Sequence, residues 1–126
     1  LDRKALPAEA LHVNTSFLTA TANDYSYADA FKRSIEAFGR EGDVLIGIST
    51  SGNSDNIVRA QKEARARGMT VISMTGKTGG KLQQSSDILL NVPSSDTPRI
   101  QESHILLGHI MAECVEQALF GKNKKK

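Results

Sequence analysis

Ser49, Thr50, Ser51 and Ser54 place four hydroxyls within six residues, with Gly52 among them. They follow the apolar run Val44–Ile48 and directly precede a helical pattern. A phosphate accepts hydrogen bonds from hydroxyls and from the amides that a helix N-terminus leaves unpaired, and the helix dipole adds roughly half a positive charge there. The loop lacks the Gly-Lys-Ser/Thr that cradles a nucleotide triphosphate, so a phosphomonoester is the ligand class it points to. Ser54 alone reads as an N-cap. A cap uses one hydroxyl, and the other three are left without a role.

A second chemical pattern lies near the C-terminus, where Gln101, His104 and His109 fall on one helical stretch. At 3.6 residues per turn, Gln101 and His109 stand about 80° apart and share a broad face, whereas His104 points about 140° away from His109. The two histidines therefore cannot serve one site from this helix. Imidazole titrates near pH 6.5, roughly at neutrality, so His109 has the chemistry of a general acid. A lone His among Ile, Leu and Met also reads as a core residue, and spacing leaves both readings open. His104 and His12 read as structural.

The elements that must position these residues follow from periodicity. Residues 10–14 predict a short strand after Pro7, then a helical stretch around 16–22 and a turn at Asn23-Asp24. Ala28, Phe31, Ile35 and Phe38 recur at helical spacing, with Gly39 in the cap position. Asp43–Ser49 is an apolar run of the kind found in buried parallel strands. Ile57, Val58, Ala60 and Ala64 mark one face of a helix over 54–67, closed by Gly68. Met69–Met74 predicts the next strand and Thr75-Gly76 its exit turn. Gly79-Gly80 opens a short segment that leads to a strand over Asp87–Val92. Pro93 and Pro98 bracket a loop before a long amphipathic helix, from about Pro98 to Leu119. This order predicts an α/β domain with a mostly parallel sheet. Ligands of such sheets gather beyond the carboxyl ends of the strands, here after Ser49, Met74 and Val92.

The 126 residues suit one domain, assigned to 1–121, with a basic disordered tail at 122–126. Hydrophobic residues make up 39% and charged residues 24%, a globular balance, and the net charge is only +2. No apolar run approaches the roughly 20 residues of a membrane span, and the N-terminus has no apolar h-region, so no membrane partner is expected. The single cysteine, Cys114, excludes an internal disulfide and fits a reducing compartment, which points to the cytoplasm. The tail lysines (Lys122, Lys124, Lys125, Lys126) read as a nucleic-acid hook or as a frayed, solubilising end. With no Trp, two Tyr and four Phe there is no stacking platform, and no nucleic-acid partner is expected. The chain begins with Leu rather than Met, which reads as processing or as a piece of something longer.

Gly42-Asp-Val-Leu-Ile-Gly-Ile-Ser-Thr-Ser-Gly-Asn-Ser54 resembles the signature of sugar isomerase (SIS) domains, and more narrowly that of the phosphoheptose isomerase family. Three further segments agree: Asn23-Asp24, Thr75–Gly80, and Thr97-Pro-Arg-Ile-Gln-Glu-Ser-His-Ile-Leu-Leu-Gly-His109. The resemblance implies an SIS-type, flavodoxin-like three-layer α/β fold. In the family, N-terminal helices, a first strand, a Gly-Asn-Gly-Gly-Ser loop and a catalytic glutamate precede the region that this chain matches.

The activity implied is the interconversion of sedoheptulose 7-phosphate and D-glycero-D-manno-heptose 7-phosphate through an enediol, a step toward heptose precursors of surface glycans. The resemblance makes His109 the catalytic acid, with Ser49, Thr50, Ser51 and Ser54 on the phosphate, Asp24 near the sugar, and Gln101 on substrate or metal. Zinc, where relatives carry it, would take Gln101 and His109 together with a His and a Glu from the preceding portion. A homotetramer with sites between subunits is implied as well. Some relatives have an aspartate directly before Arg-Ile-Gln where this chain has Pro98, so Asp96 is the candidate for that hydroxyl contact. Non-catalytic relatives bind sugar phosphates or a replication initiator. The initiator-binding ones replace the helix histidine and carry an arginine in the serine loop, so His109 and Ser51 favour the enzyme.

Overall fold

The side chain of Asn14 accepts a hydrogen bond from the Phe17 amide at 3.0 Å and so starts the first helix, α1 (Thr15–Asp24), in the computed structural model, which describes residues 2–121. The strand expected over 10–14 is not formed. The Val13 amide donates to the Ala10 carbonyl at 3.1 Å, and this turn sets Asn14 in its capping position. Asn23 and Asp24 are the last residues of α1 rather than a turn, and the Tyr25 amide closes the helix on the Thr21 carbonyl. The tail over 122–126 lies outside the described residues.

A 3-10 turn at Tyr27–Asp29 leads into α2 (Ala30–Phe38). The remaining elements are β1 (Val44–Ser49), α3 (Asp55–Ala66), β2 (Thr70–Thr75), a 3-10 segment (Gly80–Ser85), β3 (Ile88–Asn91) and α4 (Thr97–Phe120). The three strands form a parallel sheet in the order β1-β2-β3. Ser49 lies opposite Thr75, and Thr75 opposite Asn91, so the carboxyl ends of all three strands come side by side. The expected α/β class and parallel sheet are present.

The helices α2 and α3 cover one face of this sheet. Ile35, Ala60, Ala64, Met69 and Val71 form the core there, with Leu11, Phe31 and Leu45 packed against it. Gly47 lets α3 approach β1 closely, since a Cβ at that position would stand 2.5 Å from the Gln61 amide nitrogen. Gln61 is fully buried, yet its hydrogen bonds are satisfied. It donates to Ser73 Oγ at 2.5 Å and accepts from Ser85 Oγ at 2.7 Å, which ties α3, β2 and the 3-10 segment together.

β1 was expected to be buried, and only one of its faces is. Side chains alternate along a strand, and the second set (Val44, Ile46 and Ile48) is 55, 45 and 54% exposed. Ile88 on β3 is exposed as well. An apolar run shows that a strand can be covered on both sides, not that this stretch of chain supplies both covers. α4 meets the sheet near the end of β2, and its only buried residues are Ile100 and His104. No helix among the described residues is long and apolar enough to cross a membrane.

Candidate active site

β1 delivers Ser49, which is buried, to the start of the serine loop. The Gly52 amide donates to the Ser49 carbonyl at 3.0 Å, and Gly52 adopts a left-handed φ of 67° to complete the turn. The Ser49 and Ser54 hydroxyls are hydrogen bonded at 2.8 Å, and Ser51 Oγ accepts from the Asn53 amide at 3.1 Å. Ser54 occupies the N-cap position of α3, but its side chain makes no cap hydrogen bond. It faces Ser49 instead. Among the described residues, the amides of Ser51, Ser54, Asp55 and Asn56 engage no hydrogen-bond acceptor. Hydroxyls, unpaired amides and the positive end of α3 thus converge, an arrangement complementary to a phosphate.

The one carboxylate in the first turn of α3, Asp55, is paired with Arg59 at 2.9 Å. Arg59 also holds Asp29 at 2.8 Å. Hydrogen bonds from Ser26 and Arg59 keep the Asp29 carboxyl below its ordinary value. The two carboxylates beside the loop thus share one guanidinium.

A second loop closes over the first. The Gly76 amide donates to the Thr50 carbonyl at 2.9 Å, and the Leu82 amide to the Gly52 carbonyl at 3.0 Å. Asn53 stitches the two loops: its Oδ1 accepts from the Lys81 amide and its Nδ2 donates to the Ser51 carbonyl, each at 3.0 Å. The third loop joins where the Lys77 amide donates to the Ser94 carbonyl at 3.1 Å. Between the three lies a cleft of about 310 Å³, lined by Thr50, Ser51, Asn53, Lys77 and Thr78 and, toward α4, by Ser94, Ser95, Thr97 and Ile100. Lys77 has no carboxylate partner among the described residues. Reading the sequence missed Lys77, Asn53 and Ser94. The rule that ligands gather beyond strand ends pointed to their segments, but not to which side chains would turn into the cleft.

On α4 the two histidines part, as the helical spacing requires. His104 is 5% exposed and its Nε2 lies 3.2 Å from the Thr75 carbonyl oxygen, so Nε2 carries the proton and donates. Its Nδ1 is buried without a partner among the described residues. Gln101 and His109 are exposed and line no part of the serine-loop cleft. His109 stands nine residues beyond Ile100, roughly 13–14 Å along the helix axis. Asp24 is exposed at the end of α1, where its Oδ1 accepts from the Asn23 amide group at 2.9 Å, and it does not line the cleft either. Asp96 sits at the N-cap of α4 without a side-chain cap bond, and only its backbone amide reaches the third loop, donating to Ser94 Oγ at 3.0 Å. The chain thus gathers Ser49, Thr50, Ser51 and Ser54 and leaves Gln101, His109 and Asp24 on other surfaces.

Zinc prefers four ligands in a closed tetrahedral site. Gln101 and His109 are about 12 Å apart along the axis, so both side chains would have to extend toward each other to share an ion. Among the described residues no group of three or more His, Cys, Asp or Glu could hold a metal. The pair is therefore an incomplete set.

Comparison with known proteins matches residues 1–76 to the SIS domain family model. A phosphoheptose isomerase of Clostridium acetobutylicum is 61% identical over 97% of this chain and 62% of its own length. One of Burkholderia pseudomallei is 55% identical over 96% of this chain and 61% of its own. Among solved structures, a phosphoheptose isomerase of Francisella tularensis superposes with a TM-score of 0.89 at 40% identity, covering 92% of this chain and 62% of that one. That of Neisseria gonorrhoeae gives 0.83 at 52% identity, covering 85% and 61%. The chain spans about three fifths of the length of the curated relatives it matches.

Proposed function

This chain belongs to the SIS-domain family, and on that premise we propose that it forms part of an isomerase interconverting sedoheptulose 7-phosphate and a heptose 7-phosphate. The observation that carries the reading is the serine loop: its hydroxyls and unpaired amides suit a phosphomonoester, in a chain 61% identical to a phosphoheptose isomerase.

In this reading Ser49, Thr50, Ser51 and Ser54 hold the phosphate, and Lys77 adds charge at the mouth of the cleft. Anchoring the remote phosphate fixes the reacting carbons at the other end of the sugar, which lowers the entropic part of the barrier. A base removes the proton from the carbon beside the carbonyl and the carbonyl oxygen takes a proton, which gives the enediol. The enediol is then reprotonated on the former carbonyl carbon while the hydroxyl on the first carbon gives up its proton and becomes the new carbonyl. His109 is the acid in this exchange, and Gln101 and Asp24 contact the sugar. The base is assigned by family resemblance to a glutamate from the segment that precedes this region in relatives.

The distance between His109 and the serine-loop cleft supports a site completed between copies of the chain. Ile105, Leu106, Ile110, Val115 and Leu119, all exposed on α4, are the surface proposed to pack in a homotetramer. If zinc binds, Gln101 and His109 supply two of its ligands, and the metal would polarise the sugar oxygens. A cytoplasmic site of action accords with a single cysteine, Cys114.

The test is isomerisation of sedoheptulose 7-phosphate by the complete natural protein, followed by light scattering of the same sample. Turnover by a tetramer is expected. Tight binding of the sugar phosphate without turnover would make the protein a non-catalytic sensor instead.

A further inference from the structure

We propose that the groove between α3 and the 3-10 segment Gly80–Ser85 is a second anion site, for a small molecule carrying a diphosphate group. The groove encloses about 570 Å³ and is lined by Val58, Lys62, Arg65, Lys81, Gln84 and Ser85. None of these residues lines the serine-loop cleft. Its size falls among those of small-molecule sites, roughly 300–1,000 Å³.

Six of the twelve lysines and arginines among the described residues have a carboxylate partner: Arg3 with Glu116, Lys32 with Glu36, Arg59 with Asp29 and Asp55, Arg65 with Asp87, Arg67 with Glu63, Arg99 with Glu102. Of the other six, Lys4, Arg33, Arg40 and Lys77 line no part of this groove. Lys62 and Lys81 have none among the described residues, and they come from different elements to meet in this one groove. Arg65 is the third cation. One of its nitrogens, Nη1, is bound to Asp87 at 2.5 Å, which leaves the other edge of its planar fork able to donate. Asp87 accepts from both the Val71 amide and Arg65, so this carboxylate is spoken for. Three cations against one carboxylate leave a net charge near +2, more than a single monoester needs and suited to two adjacent phosphoryl groups. Val58 on the floor offers apolar contact to the rest of such a molecule, and the Gln84 amide adds a neutral donor.

The two anion sites adjoin through Lys81, whose backbone amide holds Asn53 of the serine loop while its side chain lines the groove. The test must therefore separate them, and it does not depend on the isomerase reading. Inorganic pyrophosphate is titrated calorimetrically into the complete natural protein, into Lys62→Ala/Lys81→Ala and into Ser51→Ala/Ser54→Ala. Saturable binding that survives in the serine variant and weakens about tenfold or more in the lysine variant is expected, the scale of losing charge-assisted hydrogen bonds. Lys62→Arg/Lys81→Arg should restore it. Lys62, Lys81 and Ser51 are exposed and Ser54 is half-buried, and an unchanged melting midpoint in each variant verifies the fold. Pyrophosphate binding that is lost in the serine variant, unchanged in the lysine variant, or not saturable in the millimolar range overturns the proposal.

Discussion

The backbone of Gly52 passes so close to Gly79 that a Cβ at position 52 would stand 2.1 Å from the Gly79 carbonyl oxygen. The serine loop and the loop after β2 are thus locked backbone to backbone, and glycine is required there for both space and a positive φ. Gly52→Ala should force the loops apart. We expect sugar-phosphate affinity to fall more than tenfold and the unfolding midpoint to drop, the backbone strain alone being about 1–2 kcal/mol. Calorimetric titration beside thermal unfolding checks both, and unchanged affinity would show that the loop can bind without this lock.

Ser51→Ala/Ser54→Ala removes two hydroxyls from the loop without touching the core. At roughly 1.5–3 kcal/mol for each hydrogen bond to a charged ligand, affinity for a sugar phosphate should fall at least tenfold. Lys77→Ala should cost less, about threefold to tenfold, and its effect should shrink at high salt because an exposed charge is screened. Titration at low and high ionic strength distinguishes them. A serine variant that binds as well as the parent sinks the phosphate-loop assignment.

Asp87 accepts from the Val71 amide at 2.8 Å and pairs with Arg65, and these contacts, the amide first, hold its carboxyl below the ordinary 3.8. A carboxyl depressed by folding adds stability above its ordinary value and loses it as pH falls through the lowered one. Asp87→Asn keeps an acceptor for the amide but removes the charge. Its unfolding midpoint should lie below the parent's near neutral pH, and the two should converge as the solution is acidified well below pH 3.8. A gap that stays constant across that range would mean the charge has no part in it.

Much of the architecture could be read from periodicity, because apolar spacing encodes which face of each helix and strand is covered. The serine loop was legible for the same reason: hydroxyls massed between a strand and a helix have few other uses. What escaped depended on partners distant in sequence. Residues 10–14 looked like a strand because a short apolar stretch cannot report whether an edge is available to pair with it. Ser54 looked like a cap because its true partner, Ser49, becomes a neighbour only when the loop closes. Helical spacing did not single out Gln61, yet it is the most buried polar side chain of α3, satisfied by Ser73 and Ser85 from other elements. Lys77 reaches the cleft only because β2 pairs with β1 in register, Thr75 beside Ser49.

His104 and His109 lie on one helix and should respond to mutation in opposite ways. His104 is buried and bound to the Thr75 carbonyl, so His104→Ala leaves a cavity and a carbonyl without its donor. It should destabilise the protein by about 2–4 kcal/mol, as large-to-small core changes do. His109 is exposed and makes no hydrogen bond among the described residues, so His109→Ala should leave the unfolding midpoint nearly unchanged. In the complete natural protein it should nevertheless lower isomerisation of sedoheptulose 7-phosphate about a hundredfold or more, the usual scale for losing a general acid. Substrate affinity should change much less, because the phosphate anchor lies on the loop after β1. If His109 also ligates zinc, elemental analysis of the variant should show the metal lost along with activity. Full turnover in His109→Ala would remove the acid role and leave His109 a surface residue of α4. A large loss of stability in that variant would instead mean that the residue is buried in the assembled protein, where it serves packing rather than proton transfer.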